Sequence, residues 1–450
     1  MNAAKGSSSR NAPCRCGSGR RFKDCCGSIG SVSTTIPSAV RDSTAIFLEA
    51  LSAQRARNLT HAEALYRRGL AAEPDHADGL HMLGVIRMER GDLTEAASLM
   101  QRALDLTHHQ VPAILHNFGL LLAKLAHAKS HARLSQIGQA YRERRTVPRA
   151  SDANALVSII LPSYNHAQYV EAAVRSVFNQ SYAGVELIAI DDGSRDGSAQ
   201  VLRSLQAASP IPFKLIAREN QGASATLNEL VALCSGEWIQ PLNSDDILAP
   251  DRVETMLAAV HAAGSDWGFG GVRCIGAHGE PIDELSDGRV FELRCAQAQI
   301  GFEDTVGDNF YFRNPAISTG NLFLRAALVR SVGGFACYRY HHDWDFCLHA
   351  LRIAEPVYSV KPTYFYRFHE TNTISEASAV RRDEADAMMR AHLDTFFANK
   401  VTNPWAPTYA SRGTDFLSRV LSSGMGALVR PERLSAVAET LMVRNQSQSI

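Results

Sequence analysis

The chain has 450 residues, of which 45% are hydrophobic and 20% are charged, a composition typical of a soluble globular protein with about three domains. Lysine plus arginine equals aspartate plus glutamate at 46 each, so the charge balance argues against DNA or an anionic membrane as a partner. No stretch approaches the roughly 18 consecutive apolar residues of a membrane span, and the N-terminus lacks the apolar core of a secretory signal. We therefore expect a cytoplasmic protein.

Four cysteines lie close together near the N-terminus, in the stretch PCRCGSGRRFKDCC. They are Cys14, Cys16, Cys25 and Cys26. A reducing compartment disfavours disulfides, and a redox site usually has C-x-x-C, which this cluster lacks. Four thiolates can close a tetrahedral structural zinc site, and a segment this short would fold only around metal. The spacing resembles the SEC-C motif, known from the zinc-binding tail of the bacterial preprotein translocase ATPase.

The next part of the chain is rich in alanine and leucine with helical spacing. Residues 66–70 and 100–104 match each other at a shift of 34 residues, and a poorer third copy starts near Leu115 and Gly119. This pattern resembles the tetratricopeptide repeat, which implies a surface for a protein partner. A plain helical bundle is the alternative interpretation.

After about residue 150 the pattern changes to short strands that alternate with helices. Strands are predicted at residues 157–161, 185–190, 213–217 and 238–242. Helices are predicted at residues 168–179, 194–206 and 223–234. This alternation indicates an α/β domain with a mostly parallel, Rossmann-like sheet.

Acidic residues follow the second and the fourth predicted strand, at Asp191 and at Asp245 with Asp246. Ligands of open α/β sheets bind just outside these strand ends. Adjacent acids repel each other unless a cation or ligand donors neutralise them, so the pattern suits Mg²⁺ or Mn²⁺ bridging to phosphate oxygens. Ser194 and Asp196, in contrast, are explained by the start of a helix.

Two common nucleotide-binding motifs are missing from the sequence. There is no G-x-G-x-x-G after a strand and no G-x-x-x-x-G-K-[ST]. This argues against a dehydrogenase or a P-loop NTPase. Binding of a phosphate group would then depend on a metal and a few side chains.

The segments VSIILPSYNHAQYVEAAVRSVFNQSY and VELIAIDDGSRDGS resemble the opening of family 2 glycosyltransferases with the GT-A fold. The resemblance continues through RENQGASATLNELVALCSGEWIQPLNSDD, GGF, HHDWDFCLHAL and YRFHETNT, over roughly residues 155–375. It implies transfer of a sugar, with inversion, from a nucleotide-diphosphate donor that in this family is most often a UDP-sugar. The acceptor hydroxyl would belong to a glycan, a lipid-linked sugar or a protein.

The resemblance also implies which residues bind the nucleotide sugar. The loop after the first strand lies against the base, an acid after the second strand hydrogen-bonds the base, and a further loop passes over the nucleotide. The positions that correspond in this sequence are Pro162, Ser163, Tyr164, Asp191, Arg218, Gly222, Asn243 and Asp246.

The metal site is implied by residues 243–245, which occupy the place of the family's D-x-D motif. Asp245 is the expected ligand of Mg²⁺ or Mn²⁺. Asn243 replaces the first acid and carries no charge, which departs from the family pattern. His369, in YRFH, matches a position that reaches the diphosphate or the metal.

The general base is implied by HHDWDF, where Asp343 aligns with the acid of the family's E-D motif and His342 replaces the usual glutamate. A base is needed because an alcohol is a poor nucleophile until its proton leaves. Asp345 is the alternative, and the register of the motif favours Asp343.

The predicted order of domains is a zinc motif at 1–28, a flexible linker at 29–44, helical repeats at 45–148, a GT-A domain at 154–375 and a helical extension at 376–450. Weak peripheral association of the extension with a membrane is a minor alternative, because its basic residues are few. A second hypothesis for the whole chain is a catalytically degenerate GT-A binding module on a repeat scaffold.

Overall fold

The structure is a computed structural model that describes residues 38–108, 111–126, 128–144, 147, 154–282, 288–370, 372 and 378–446. The predicted zinc motif, with Cys14, Cys16, Cys25 and Cys26, lies outside these residues. The chain divides into two compact units, Met1–Leu106 and Thr107–Ile450.

The described part of the first unit is a set of helices. These are α1 (Ser38–Arg55), α2 (Leu59–Ala72), α3 (Ala77–Glu89) and α4 (Leu93–Leu106). Phe47 lies in their core beside Leu65 and Leu83. A Cβ atom added to Gly69 or to Gly79 would lie 2.6 Å from the Phe47 ring, so glycine is what lets these helices approach so closely. The helices agree with the expected repeat-like organisation, and the tetratricopeptide assignment stays a prediction.

The second unit contains one sheet of eight strands in the order β3-β2-β1-β4-β7-β6-β8-β5. The strands are β1 (Val157–Ser163), β2 (Val185–Asp191), β3 (Phe213–Ala217), β4 (Trp238–Pro241), β5 (Ile247–Leu248), β6 (Trp267–Ile275), β7 (Leu322–Arg325) and β8 (Val357–Arg367). Neighbours β1 to β4 pair in parallel, whereas β7 is antiparallel to both β4 and β6. The predicted fold class, a mostly parallel GT-A-like sheet preceded by an all-helical region, is confirmed.

Strand β8 matters most for the site, because it runs parallel to β6 and therefore in the same direction as β1, β2 and β4. All these strands consequently end at one edge of the sheet. The register between β6 and β8 shifts on both sides of Gly271, so that Gly270 pairs with Ser359, Gly271 with Pro362 and Val272 with Tyr364. From Tyr364 to Arg367 the pairing then runs without interruption.

Helices cover the sheet and extend to the C-terminus. They are α5 (Pro112–Ala126), α6 (Ala128–Glu143), α7 (Val170–Phe178), α8 (Ser198–Ala207), α9 (Ala223–Leu233), α10 (Arg252–Ala263), α11 (Gly288–Ala298), α12 (Ala326–Val332), α13 (His342–Leu351), α14 (Ser378–Ala398), α15 (Tyr409–Val420) and α16 (Pro431–Gln446). Within the described residues, no helix combines the length and apolar character needed to cross a membrane.

The predicted third repeat becomes α5, which packs on the C-terminal helices. The Ser418 hydroxyl of α15 donates to the Gly119 carbonyl of α5 at 2.6 Å. A Cβ added to Gly119 would lie 3.0 Å from Leu421 Cβ, so the two segments are in close contact. The C-terminal extension is thus part of the same compact unit as the sheet.

Candidate active site

The loop after β1 is fastened by the turn that precedes α8. The backbone N–H of His166 donates to Ser198 Oγ at 2.9 Å, and that of Ala167 donates to Asp196 Oδ2 at 2.8 Å. Asp196 also accepts from the Ser198 N–H at 3.0 Å, as expected of a residue at a helix start. The DGSRDGS turn therefore fixes the backbone that carries the His166 side chain.

His166 belongs to a cluster with Asp245 and His369 at the edge where β1, β4 and β8 end. One ligand atom from each residue lies within 4.8 Å of the other two. His369 Nε2 is 3.0 Å from Asp245 Oδ2, and His166 Nε2 is 4.0 Å from the same oxygen. Burial raises the pKa of Asp245, but the hydrogen bond with His369 and the nearby His166 outweigh it and leave the pKa below its usual value.

The donor set of this cluster fits a divalent metal ion. The sequence predicts an oxygen-rich set, whereas the described residues provide two imidazole nitrogens and one carboxylate oxygen. Such a set suits Mn²⁺ and other transition ions better than Mg²⁺, which prefers oxygen ligands. His166 Nδ1 lies 2.8 Å from Ser244 Oγ, and this contact leaves the other ring nitrogen facing Asp245.

Asp246, next to the cluster, is hydrogen-bonded to strand β8. Its Oδ1 accepts from the Arg367 N–H at 2.8 Å, and its Oδ2 accepts from the Tyr364 hydroxyl. Asn243 Nδ2 donates to the same Oδ2 at 3.2 Å. Burial, with the adjacent Asp245 carboxylate, raises the pKa of Asp246 well above its usual value. The described contacts of Asp246 therefore position β8 against the end of β4.

Asp191, at the end of β2, is hydrogen-bonded through one of its two carboxylate oxygens. Asp191 Oδ1 accepts from the Ser194 N–H at 3.0 Å. Asp191 Oδ2 and the neighbouring Ser163 Oγ are buried, and neither has a hydrogen-bond partner among the described residues. Because a buried polar atom without a partner is costly, these two atoms are suited to groups of a bound ligand. Pro162 lies in β1 beside them, and Tyr164 is about half exposed, at 47%.

Asp192 organises the loop before α9. Its carboxylate accepts from the backbone N–H groups of Gln221 and Gly222, each at 2.9 Å, and from the Arg218 guanidinium. Arg218 also donates to Glu229 at 2.8 Å. Gly222 has φ of 90°, a conformation that favours glycine, and no atom lies within 4 Å of where its Cβ would be. The loop is thus fixed at its base and open at Gly222.

Asp343 lies in the first turn of α13 and is buried. Its Oδ2 accepts from Asn314 Nδ2 at 3.0 Å, and its Oδ1 accepts from the Trp344 N–H at 2.7 Å. Burial raises the pKa of Asp343 above its usual value, which makes the carboxylate a better proton acceptor. Asp345, the alternative base, instead pairs with His392 at 2.9 Å.

A short 3₁₀ turn (Thr319–Asn321), with Ser318 before it, connects helix α13 to the residues that follow β4 through side-chain contacts. Ser318 Oγ accepts from Asn243 Nδ2 at 2.9 Å. Next to it, Thr319 Oγ1 lies 3.1 Å from His342 Nε2. His342 Nδ1 is buried and has no partner among the described residues. His342, at the position of the family's usual glutamate, is thereby linked through Thr319 and Ser318 to Asn243.

The structure brings Asp245 and His369 into contact and places Asp191 at the end of a strand on the same sheet edge. Sequence reasoning missed His166 and Arg367 as contributors. Arg367 donates to the Asp245 carbonyl at 2.7 Å. His166 and Arg367 both lie within segments that carry the family resemblance. That membership is the only signal for them in the sequence.

Comparison with known proteins identifies two regions of the chain. Residues 158–319 match the model of Glycosyl transferase family 2, and residues 10–28 match the SEC-C motif. The chain therefore contains a family 2 glycosyltransferase domain and, N-terminal to it, a SEC-C motif.

Individual relatives match over shorter stretches. An uncharacterized glycosyltransferase of Nostoc is 34% identical over 101 residues, covering 22% of this chain and 31% of its own. The chondroitin synthase of Escherichia coli is 39% identical over 102 residues, covering 23% of this chain and 15% of its own. The chain thus spans less than a third of either relative.

Among solved structures, Staphylococcus aureus TarS 1–349 in complex with UDP-GlcNAc is similar, with 19% identity and a TM-score of 0.44. The match covers 59% of this chain and 73% of the TarS chain.

Proposed function

We propose that the protein is an inverting glycosyltransferase that transfers a sugar from a nucleotide-diphosphate sugar to an acceptor hydroxyl. The observation that carries the proposal is the convergence of His166, Asp245 and His369 at the carboxyl edge of the sheet. Nucleotide ligands of α/β sheets bind at this edge, and a metal site there can face their phosphates.

The donor nucleotide would bind beside the ends of β1 and β2. The unpaired Asp191 Oδ2 is an acceptor for an N–H group of the base, and Ser163 Oγ can satisfy a second polar atom. A uracil ring offers such an N–H group, as do the other bases, so the preference for UDP rests on the family resemblance. The loop at Gly222 has room above it, which supports its predicted place over the nucleotide.

His166, Asp245 and His369 would hold the metal, for which the nitrogen-rich donor set favours Mn²⁺. When bound, the ion supplies positive charge that stabilises the departing diphosphate. Asp246 and Arg367 keep the Asp245 loop and the end of β8 in place, so the three ligands stay aligned.

Asp343 would act as the general base. It takes the proton from the acceptor hydroxyl while the hydroxyl oxygen forms a bond to the anomeric carbon and the bond from that carbon to the diphosphate breaks. The hydrogen bond from Asn314 Nδ2 orients the carboxylate, and the unpaired His342 Nδ1 beside it offers a contact for a sugar hydroxyl. The acceptor itself would be a glycan, a lipid-linked sugar or a protein. The repeats and the zinc motif would recruit it or a partner protein.

The test uses UDP-, GDP-, dTDP- and CMP-sugars with and without Mn²⁺, and it measures thermal stabilisation and donor hydrolysis. Stabilisation by one nucleotide sugar that depends on Mn²⁺ supports the proposal. The lack of stabilisation by every donor would favour the binding-module hypothesis instead.

The role of Asp343 is tested by Asp343→Asn, which should lower transfer by roughly 10²- to 10⁴-fold while donor affinity stays unchanged. Asp383→Asn, at an exposed aspartate of α14, is the matched control and should keep full activity. Equal activity of Asp343→Asn and the control would exclude Asp343 as the base.

A further inference from the structure

A second cluster of two histidines and one aspartate lies between helices α13 and α14. Asp345 and His349 are one turn apart on α13, and His392 projects from α14. One ligand atom from each residue lies within 4.8 Å of the other two. The cluster shares no residue with the one formed by His166, Asp245 and His369.

Both imidazoles point at the same carboxylate oxygen. His392 Nε2 is 2.9 Å from Asp345 Oδ1, and His349 Nε2 is 3.8 Å from it. The two rings meet edge to face, with their centroids 4.7 Å apart and their planes 67° apart. Both histidines thus present the same ring nitrogen, Nε2, to one carboxylate oxygen, which is the arrangement expected of three ligands around a shared ion.

We propose that Asp345, His349 and His392 bind a structural Zn²⁺ ion. In a tetrahedral zinc site with bonds of about 2.0–2.2 Å, neighbouring ligand atoms are separated by roughly 3.3 Å. The separations of 2.9 Å and 3.8 Å from Asp345 Oδ1 lie on either side of that value. Two imidazoles with one carboxylate is also a donor set that zinc accepts and that Mg²⁺ and Ca²⁺ do not favour.

The surroundings of the cluster would hold an ion in place and leave a path by which it can enter. Asp345 and His392 are buried, whereas 42% of the His349 side chain is exposed. A metal ion can therefore enter past His349, and a water molecule can fill its fourth position from the same side.

Zinc at this place would join α14 to the helix that carries the proposed base. The first half of α14 is already attached, because Glu384 accepts from the N–H groups of Arg339 at 2.6 Å and Tyr340 at 2.7 Å, just before α13. His392 lies in the second half of α14, where it contacts Asp345, two residues after Asp343. The ion would fix the second half of α14 to α13.

The experiment measures zinc bound per chain and does not rest on the proposed function. Because the SEC-C cysteines would also bind zinc, the parent protein for the test is the full chain with Cys14, Cys16, Cys25 and Cys26 all changed to serine. The parent is freed of metal with a chelator, loaded with Zn²⁺, separated from free ion and analysed by atomic emission. The thermal unfolding of each sample is recorded with and without Zn²⁺.

We expect His349→Gln and His392→Gln each to lose one zinc ion per chain, with binding weakened by about 100-fold or more. His349→Gln is the more informative variant, because its side chain is partly exposed and its loss should leave the fold intact. His166→Gln is the matched control from the other cluster, and it should keep the zinc that the two variants lose. The zinc-dependent rise in unfolding temperature should persist in this control and be clearly smaller in His349→Gln.

Two results would overturn the proposal. The first is a zinc content in His349→Gln equal to that of the parent. The second is a parent whose bound zinc is lost entirely in His166→Gln. If His392→Gln does not fold, His349→Gln alone decides between the outcomes.

Discussion

The ends of β2 and β4 each carry two adjacent aspartates, and the two pairs make different contacts. In each pair one acid positions another segment: Asp192 fixes the loop before α9, and Asp246 fixes strand β8. The other acid is directed to the site. Asp191 keeps a buried oxygen without a described partner, whereas Asp245 is paired with an imidazole.

The difference teaches which ligand group each strand end suits. A single unpaired carboxylate oxygen at Asp191 can accept one hydrogen bond, as from a nucleobase. A carboxylate close to two imidazoles, as at Asp245, offers a set of ligands that fits a metal ion. In the sequence, both pairs are adjacent acids in a turn and look alike. Only their contacts in the structure distinguish one pair from the other.

The largest expected effect comes from Asp245→Asn. Loss of this charge should remove most of the metal assistance, which is worth several kcal/mol, so transfer should fall by about 10³-fold. The measurement is kcat against Mn²⁺ concentration, with the variant needing more Mn²⁺ than the parent. An unchanged Mn²⁺ dependence would contradict the metal role of Asp245.

Asp246→Asn should act on stability instead. The new amide group would oppose donors from Tyr364, Arg367 or Asn243, which should lower the free energy of unfolding by about 1–3 kcal/mol. Urea unfolding measures this loss, and Mn²⁺ titration of the folded variant should change far less than in Asp245→Asn. A variant as stable as the parent would show that both acids of the pair serve the ligand.

A smaller effect is expected from Asp191→Asn. It should weaken nucleotide binding by roughly tenfold, because one charged hydrogen bond becomes a neutral one. Calorimetry with the free nucleoside diphosphate gives the affinity. Asp192→Asn is the comparison: it should increase proteolysis near residues 218–222, which Asp191→Asn should not do. If Asp192→Asn weakened nucleotide binding and Asp191→Asn increased proteolysis, the roles assigned to the two aspartates would be exchanged.

The smallest effect on transfer is expected for a buried acid away from both strand ends, which should affect stability alone. Glu355 accepts from the Gly307 N–H at 2.8 Å and from Asn403 Nδ2 at 3.0 Å, and burial raises its pKa from 4.5 to about 7. The folded state therefore holds a proton that the unfolded state releases, so stability should fall as the pH rises from about 4.5 to about 7 and then level off.

Glu355→Gln should remove this part of the pH dependence, which is worth roughly 2–3 kcal/mol between pH 5 and pH 8. Urea unfolding midpoints of the parent and the variant at pH 5 and pH 8 make the comparison. Parallel pH profiles for the two proteins would show that Glu355 does not contribute. A group that binds no ligand should affect only stability, which is the contrast with Asp191 and Asp245.

The sequence predicted the first half of the sheet well, because β1 to β4 are apolar runs that end in turn-forming residues. Helix α8 begins at Ser198 and not at residue 194, since the residues between Asp191 and Ser198 form the turn that fastens the loop of His166. Strand β8 escaped prediction because its centre is exposed at Val360 and Lys361 and contains Pro362.

Only part of the site could be predicted from the sequence, because some of its residues are brought together by pairing between distant segments. The acids near the ends of β2 and β4 can be located from local patterns, since Asp191 directly follows an apolar run and Asp245 follows one after the turn-forming Asn243 and Ser244. His166 and His369 meet only because β1 and β8 end at the same edge, which depends on pairings between distant segments. In the same way, Asp345 and His392 are 47 residues apart and lie on separate helices.

The register shift between β6 and β8 has a consequence for how the chain tolerates changes in length. Between residues 359 and 362, strand β8 contains more residues than the matching part of β6, and this part of β8 is exposed. An insertion there would enlarge an existing bulge. An insertion of one residue between Tyr364 and His369 would instead rotate the following side chains to the opposite face of the sheet, which would take His369 away from Asp245 and Phe368 out of the core. Length variation among natural descendants of this chain should therefore collect before Tyr364 and be absent after it.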